Sequence, residues 1–162
     1  MEFERVTLND LDAIMAIEQA GFNAAEAGSR ASYQDRILNL GSNFIVAKDD
    51  AGNILGFVCG PAVNDRFVSD EMYENISSNR ESGGHQMILT IAISPRFRGQ
   101  GIGSKLLQQF EKQARQLKRT SIALTCLLDR VPFYEKNGYQ NIGISDSIHG
   151  NEIWYNMEKI IG

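Results

Sequence analysis

Hydrophobic and polar positions along this chain switch repeatedly between two periods, and each switch marks a change of element. Residues 3–6 predict a first strand. Asn9 stands where a helix N-cap belongs, ahead of an apolar face formed by Leu11, Ile14, Met15 and Ile17. Small and polar residues from 22 to 31 predict a loop, after which Ser32 caps a second helix carrying Tyr33, Ile37, Leu38 and Leu40. Strands are expected at 43–48 and 54–63, joined by the turn Asp49-Asp50-Ala51-Gly52-Asn53. Residues 65–84 form a long, acidic, weakly patterned connection, of the kind that more often serves function than accident.

A fourth strand is expected at 86–94, closed by Pro95, which cannot donate to a sheet ladder. Ile102, Leu106, Phe110, Ala114 and Leu117 then share one helical face. Residues 121–127 predict a fifth strand, so strand, helix and strand form a β-α-β unit. Pro132 suits the first turn of a short helix, and Asn137-Gly138 supplies its left-handed stop. Two final strands, 139–145 and 151–158, flank a turn at His149-Gly150-Asn151. No internal repeat, low-complexity tract or interdomain linker is visible, so residues 1–162 read as a single domain.

Composition narrows the class. The chain has 162 residues, of which 43% are hydrophobic and 22% charged, as in ordinary globular proteins. No apolar run approaches the roughly 18 residues a membrane span needs. The N-terminus lacks the basic and apolar segments of a signal peptide, so a cytoplasmic location is expected. Cys59 and Cys126 lie in apolar runs and read as buried thiols rather than a disulfide framework. A net charge of −4 argues against nucleic acid as the main partner. The charge is uneven: seven basic residues against Glu111 alone lie between Arg96 and Arg119, and five acids against two arginines between Asp65 and Glu81. Two solvated faces would explain this, as would a basic region meeting phosphates and an acidic one drawing a cationic amine.

The sharpest chemistry lies where the apolar strand Ile91-Ala92-Ile93 runs into Arg98-Gly99-Gln100-Gly101-Ile102-Gly103-Ser104. The glycines let backbone N–H groups converge at a helix N-terminus, whose positive dipole end favours an anion, and Arg98 adds a guanidinium. A plain strand-to-helix connection could use the same glycines. The spacing excludes the dinucleotide fingerprint, because the glycines are too close and Lys118-Arg119-Thr120 stand where its acid belongs. The phosphate loop ending in Gly-Lys-Ser/Thr is absent as well. No cluster of Cys, His or Asp has metal-ligand spacing, so no metal is expected.

Arg98-x-x-Gly101-x-Gly103 resembles the acyl-CoA signature of the GNAT N-acetyltransferase superfamily, and Phe133-Tyr134-Glu135-Lys136-Asn137-Gly138-Tyr139 resembles its downstream segment. Gly56-Phe57-Val58-Cys59-Gly60, Ser82-Gly83-Gly84-His85 and Val131-Pro132-Phe133 look most like the arylalkylamine (serotonin-type) branch. The resemblance implies an α/β (α+β) fold with one central, mixed, twisted sheet of about seven strands flanked by about four helices. It implies acetyl-CoA as donor, no metal, and direct transfer to a small primary amine, with a homodimer among the possible states.

By the same resemblance, Ile91, Ala92 and Ile93 would meet the pantetheine through main chain. Residues 98–104 would cradle the pyrophosphate. Tyr134 would protonate the leaving thiolate. The branch's paired histidines are missing, since Met87 and Leu89 occupy the matching positions; His85 is the nearest imidazole and a candidate proton relay, with Glu18, Glu81 or water behind it. A polyamine, an amino sugar or a protein N-terminus could replace the arylalkylamine. A catalytically weak acyl-CoA-binding regulatory domain is the reading from a different class.

Overall fold

The structure is a computed structural model and describes residues 1–22 and 27–162. Part of the loop expected at 22–31 therefore lies outside the described residues. Among those described there are nine strands and five α-helices. In chain order they are β1 (Glu2–Arg5), α1 (Leu11–Gly21), α2 (Arg30–Asn39), β2 (Phe44–Lys48), β3 (Ile54–Cys59), β4 (Ala62–Val63), α3 (Glu71–Glu74), β5 (His85–Ile88), β6 (Thr90–Ile93), α4 (Ile102–Gln116), β7 (Ser121–Cys126), α5 (Val131–Lys136), β8 (Gln140–Ile144) and β9 (Tyr155–Ile160).

Caps differ from expectation in ways local hydrogen bonding explains. Thr7, not Asn9, begins the first helical segment, because Asp10 returns its carboxylate to the Thr7 N–H at 2.9 Å in a capping box. Ser29 rather than Ser32 caps α2, its hydroxyl accepting from the Ser32 N–H at 3.1 Å. The turn at 49–53 forms as expected, with Asp49 Oδ1 accepting from the N–H groups of Ala51 and Asn53.

The single central sheet is instead two. One has the order β1-β2-β3-β6 and is antiparallel throughout; the other has the order β4-β5-β7-β9-β8, with β5 and β7 parallel. The division arises because each expected long strand breaks. Gly60-Pro61 separates β3 from β4, and a Cβ on Gly60 would stand 1.9 Å from the Met87 carbonyl oxygen, so only glycine allows these backbones to approach. Leu89 separates β5 from β6, its N–H donating to Cys59 O at 2.8 Å. One chain segment thus begins in one sheet and ends in the other.

Helix α4 joins them. Its apolar stripe of Ile102, Leu106, Phe110 and Ala114 is buried against Ile45 and Val58 of the first sheet and Ile88, Ile122, Leu124 and Met157 of the second. Helices α1 and α2 cover the opposite face of the first sheet through Ile14, Tyr33 and Ile37 on Phe44, Phe57 and Ala92. The acidic connection covers the opposite face of the second, where Phe67, Val68 and Met72 pack on Val63, Met87 and Ala123. Phe67 and Met72 are therefore packing residues. Cys59 and Cys126 are both buried thiols, each pushed up to about 11 by burial.

Candidate active site

Pairing between β5 and β7 ends at Ile88 and Leu124, while β6 continues along β3. Beyond that point Thr90–Ile93 on one side and Thr125–Cys126 on the other have no ladder between them, and the strands part in a wedge. Backbone groups on those facing edges need partners, so the wedge suits an extended ligand carrying amides of its own. Ile91, Ala92 and Ile93 belong to β6, on its edge of the wedge.

The broad end of the wedge leads to the glycine turn. Gly99 and Gly101 hold φ of +77° and +78°, and a Cβ on either would meet nothing within 4 Å. Gly101 is the N-cap of α4, and no side chain caps the helix, so the first-turn N–H groups of Ile102, Gly103 and Ser104 are left for an outside acceptor. Exposed Arg98 donates to Ile93 O at 3.4 Å, a long contact that keeps its guanidinium beside the turn. An open cradle, uncapped N–H groups and a cation fit a pyrophosphate. Gly103 differs from its neighbours: a Cβ there would stand 3.2 Å from the Phe133 ring, so its smallness serves α4–α5 packing.

The basic segment does not converge on the cradle as a whole. Arg119 is buried at the far end of α4 and donates to Gly83 O at 2.9 Å. Arg115 bonds Glu111 and Ile161 O.

Tyr134 comes from α5, just past the end of β7. Its ring lies edge-on to Phe133 and Tyr139, with centroids 5.0 and 5.9 Å away. The residue is 8% exposed, and among the described residues its hydroxyl has no hydrogen-bond partner. Burial pushes the phenol well above its ordinary range, Cys126 adds to the rise, and Arg130 opposes it. Tyr134 therefore holds its proton at neutral pH, and because a thiol titrates near 8.5 a thiolate is the weaker base, so any transfer from this phenol to sulfur is uphill and needs direct contact.

His85 is the first residue of β5, paired with Ser121 at the start of β7, and its Nδ1 lies 2.6 Å from Ser121 Oγ. Tyr134 follows the other end of β7, about 16 Å away at roughly 3.3 Å per strand residue. The structure does not bring the two together, and His85 braces the strand start. Glu18 is also committed elsewhere: it is buried, accepting from the Tyr33 hydroxyl at 2.6 Å and the Gly28 N–H at 3.0 Å. Glu81 lines a separate cavity of about 230 Å³ with Arg80 and Arg119.

Several residues at the wedge carry no sequence signal. Arg36, 3% exposed, reaches from α2 to Thr90 Oγ1 at 3.2 Å and Tyr73 O at 3.5 Å, lies 4.7 Å over the Tyr33 ring, and has no carboxylate at ion-pair distance among the described residues. The Tyr73 hydroxyl lies 3.4 Å from Thr125 Oγ1. The Tyr73 ring stacks on His149, with centroids 6.0 Å apart and planes 17° from parallel. His149 in turn meets Trp154 at 5.9 Å, and Trp154 Nε1 donates to His149 O at 2.8 Å. Asp70, one of the acids of the connection, accepts from Ser147 Oγ at 2.6 Å and Ile148 N at 3.2 Å, which ties the connection to the β8–β9 loop. Asp65, Glu71, Glu74 and Glu81 stay exposed. No cluster of potential metal ligands occurs among the described residues.

A strand parting from its neighbour in front of an uncapped glycine turn, with a phenol on the short helix that follows the second strand, is the arrangement of an acyl-CoA-dependent transferase. The chain belongs to the acetyltransferase (GNAT) family, whose sequence model matches residues 11–139. It is 27% identical over 146 residues to serotonin N-acetyltransferase of Mesocricetus auratus, covering 88% of this chain and 69% of that protein. Among solved structures it resembles the GphF GNAT-like decarboxylase in complex with isobutyryl-CoA, with a TM-score of 0.82, 16% identity, and coverage of 99% of each chain. It also resembles Arabidopsis thaliana Naa50 in complex with the bisubstrate analogue CoA-Ac-MVNAL, with a TM-score of 0.73, 17% identity, and coverage of 99% and 98%. The protein is an acetyl-CoA-dependent N-acetyltransferase of this family.

Proposed function

We propose that the protein transfers the acetyl group of acetyl-CoA directly to a small primary amine carrying an aromatic body. The observation that carries this reading is the aromatic trio Tyr73, His149 and Trp154 beside Thr125, where β6 and β7 part. Flat faces at that position suit a planar ring, and stacked or edge-on aromatic pairs contribute roughly 0.5–1.5 kcal/mol beyond the area they bury. The resemblance to serotonin N-acetyltransferase supports the same class. The exposed acids of the 65–84 connection would raise the local concentration of a cationic amine.

In this reading the pyrophosphate rests on the N–H groups of Ile102, Gly103 and Ser104 with Gly99, Gln100 and Gly101 beneath it. Arg98 flanks it, and the pantetheine lies along Ile91, Ala92 and Ile93. The neutral amine attacks the thioester carbonyl, the C–N bond forms and the C–S bond breaks. Tyr134 gives its proton to the departing sulfur, and the proton lost by nitrogen leaves through water, from which Tyr134 is recharged. An alkyl ammonium of pKa about 10 costs about 4 kcal/mol to neutralise near pH 7.

Competition among tryptamine, phenylethylamine, spermidine, glucosamine and short peptides tests the substrate class. The aromatic amines should win by at least about tenfold in kcat/KM, with an apparent KM that rises with salt. Preference for the sugar or the peptides without salt dependence would overturn the arylalkylamine assignment.

A further inference from the structure

The acceptor face of the wedge holds three side-chain oxygens with unused hydrogen-bonding capacity. Thr125 is the first β7 residue past the last β5 pair, and its register partner across the antiparallel β7–β9 ladder is Asn156. Directly paired residues project to the same face, with Cβ atoms about 4.5–5.5 Å apart. That face carries Ala123 and Glu158 one pair earlier, under the acidic connection and away from α4. Asn156 Oδ1 is buried and has no hydrogen-bond partner among the described residues. A buried amide oxygen left unpaired costs roughly 1–3 kcal/mol, and a donor that arrives with a ligand would relieve it.

The Tyr73 hydroxyl approaches the same place from above, and its 3.4 Å separation from Thr125 Oγ1 is too long for a strong hydroxyl pair. Neither hydroxyl has another side-chain partner among the described residues. Tyr73 does not hang freely: Arg36 holds its carbonyl, His149 stacks on its ring, and the Ile76 N–H donates to Asp35 Oδ2 at 2.8 Å three residues on. Tyr73 is also among the groups that raise the Tyr134 phenol, after burial and Cys126.

We infer that Tyr73 Oη, Thr125 Oγ1 and Asn156 Oδ1 together bind the nitrogen of the acceptor amine through its N–H groups. This rests on the amine-acetylation reading, though not on which amine is taken. The donor count fits: a primary ammonium offers three N–H groups, and the neutral amine offers two with a lone pair left for attack. All three oxygens are uncharged, so they orient the nitrogen without fixing it as an ammonium, as a paired carboxylate would. Burial pushes the Tyr73 phenol up, which keeps it an uncharged partner. It accepts a hydrogen bond and takes no proton.

The test uses the best amine of the panel and follows two substrates separately. Tyr73→Phe should raise the KM of the amine at least about fivefold, while calorimetry shows acetyl-CoA affinity within twofold of wild type. Asn156→Asp, nearly isosteric, should lower the amine's KM and its kcat together, because a carboxylate holds the unreactive ammonium. A purely structural role would not produce that paired change. Unchanged amine KM and kcat in both variants would overturn the inference, as would losses that fall equally on acetyl-CoA binding. A wild-type enzyme inert toward every amine would instead overturn the amine-acetylation reading, and this inference with it.

Discussion

Gly101→Val separates the cradle's chemistry from its backbone conformation. Gly101 sits at φ +78° and a Cβ there would have nothing within 4 Å, so valine meets open space and no clash. Two effects remain. The left-handed conformation costs a residue with a Cβ roughly 1–2 kcal/mol, which lowers Tm by about 2–8 °C at this chain length. The isopropyl group also occupies the approach to the uncapped N–H groups of α4. Gly52 supplies a matched control, since its φ is +85°, a Cβ there also meets nothing, and it lies in the β2–β3 hairpin turn. Both variants should lose similar stability. Titration calorimetry should show acetyl-CoA binding weakened at least about tenfold, or 1.4 kcal/mol, by Gly101→Val, and unchanged by Gly52→Val. Equal affinities in the two variants would refute the cradle.

Three further outcomes follow from the same structure. Tyr134→Phe should lower kcat by about 10²-fold with acetyl-CoA affinity nearly intact, checked by steady-state thiol release and calorimetry, because a proton donor to the leaving group acts mainly in the transition state. Gly60→Ala should cost on the order of 3–4 kcal/mol, read as a Tm fall of about 6–16 °C, because its Cβ cannot stand 1.9 Å from Met87 O. Glu158 is held below its ordinary value of 4.5 by two 2.8 Å hydrogen bonds from Arg66, with burial opposing. A depressed carboxyl stabilises the fold above the unfolded pKa and loses that contribution as pH falls through the folded one. Arg66→Met should therefore reduce Tm at pH 7 and flatten its decline below about pH 4.5 in thermal melts.

Much of the fold was legible because local signals and packing agree. The stripe Ile102, Leu106, Phe110 and Ala114 gave α4, and Asn137-Gly138 ended α5 with Gly138 at φ +93°. Strand breaks were not legible. Nothing in the apolar run 86–94 distinguishes Leu89 from its neighbours; its change of partner from β7 to β3 is a tertiary choice. The same limit applies to the site. Arg98, Gly99 and Gly101 announce themselves because they stand close together in sequence, in the glycine-and-cation pattern that an anion-binding turn would use. Arg36, Tyr73, Thr125 and Asn156 come from four separate elements, and only the folded sheet shows that they share a face. His85 illustrates the converse, since an imidazole near the motif in sequence starts β5 opposite Ser121, at the end of β7 away from α5.

The most direct test of acetyl transfer in the wedge follows the release of coenzyme A thiol and the appearance of N-acetylated amine in the same reaction, with wild type and Tyr134→Phe run in parallel. Wild type should produce the two in equal amounts, at a rate that saturates with amine and falls about 10²-fold in the variant. Thiol release that is independent of amine, or equal product formation by the two proteins, would contradict direct transfer with Tyr134 as the proton donor.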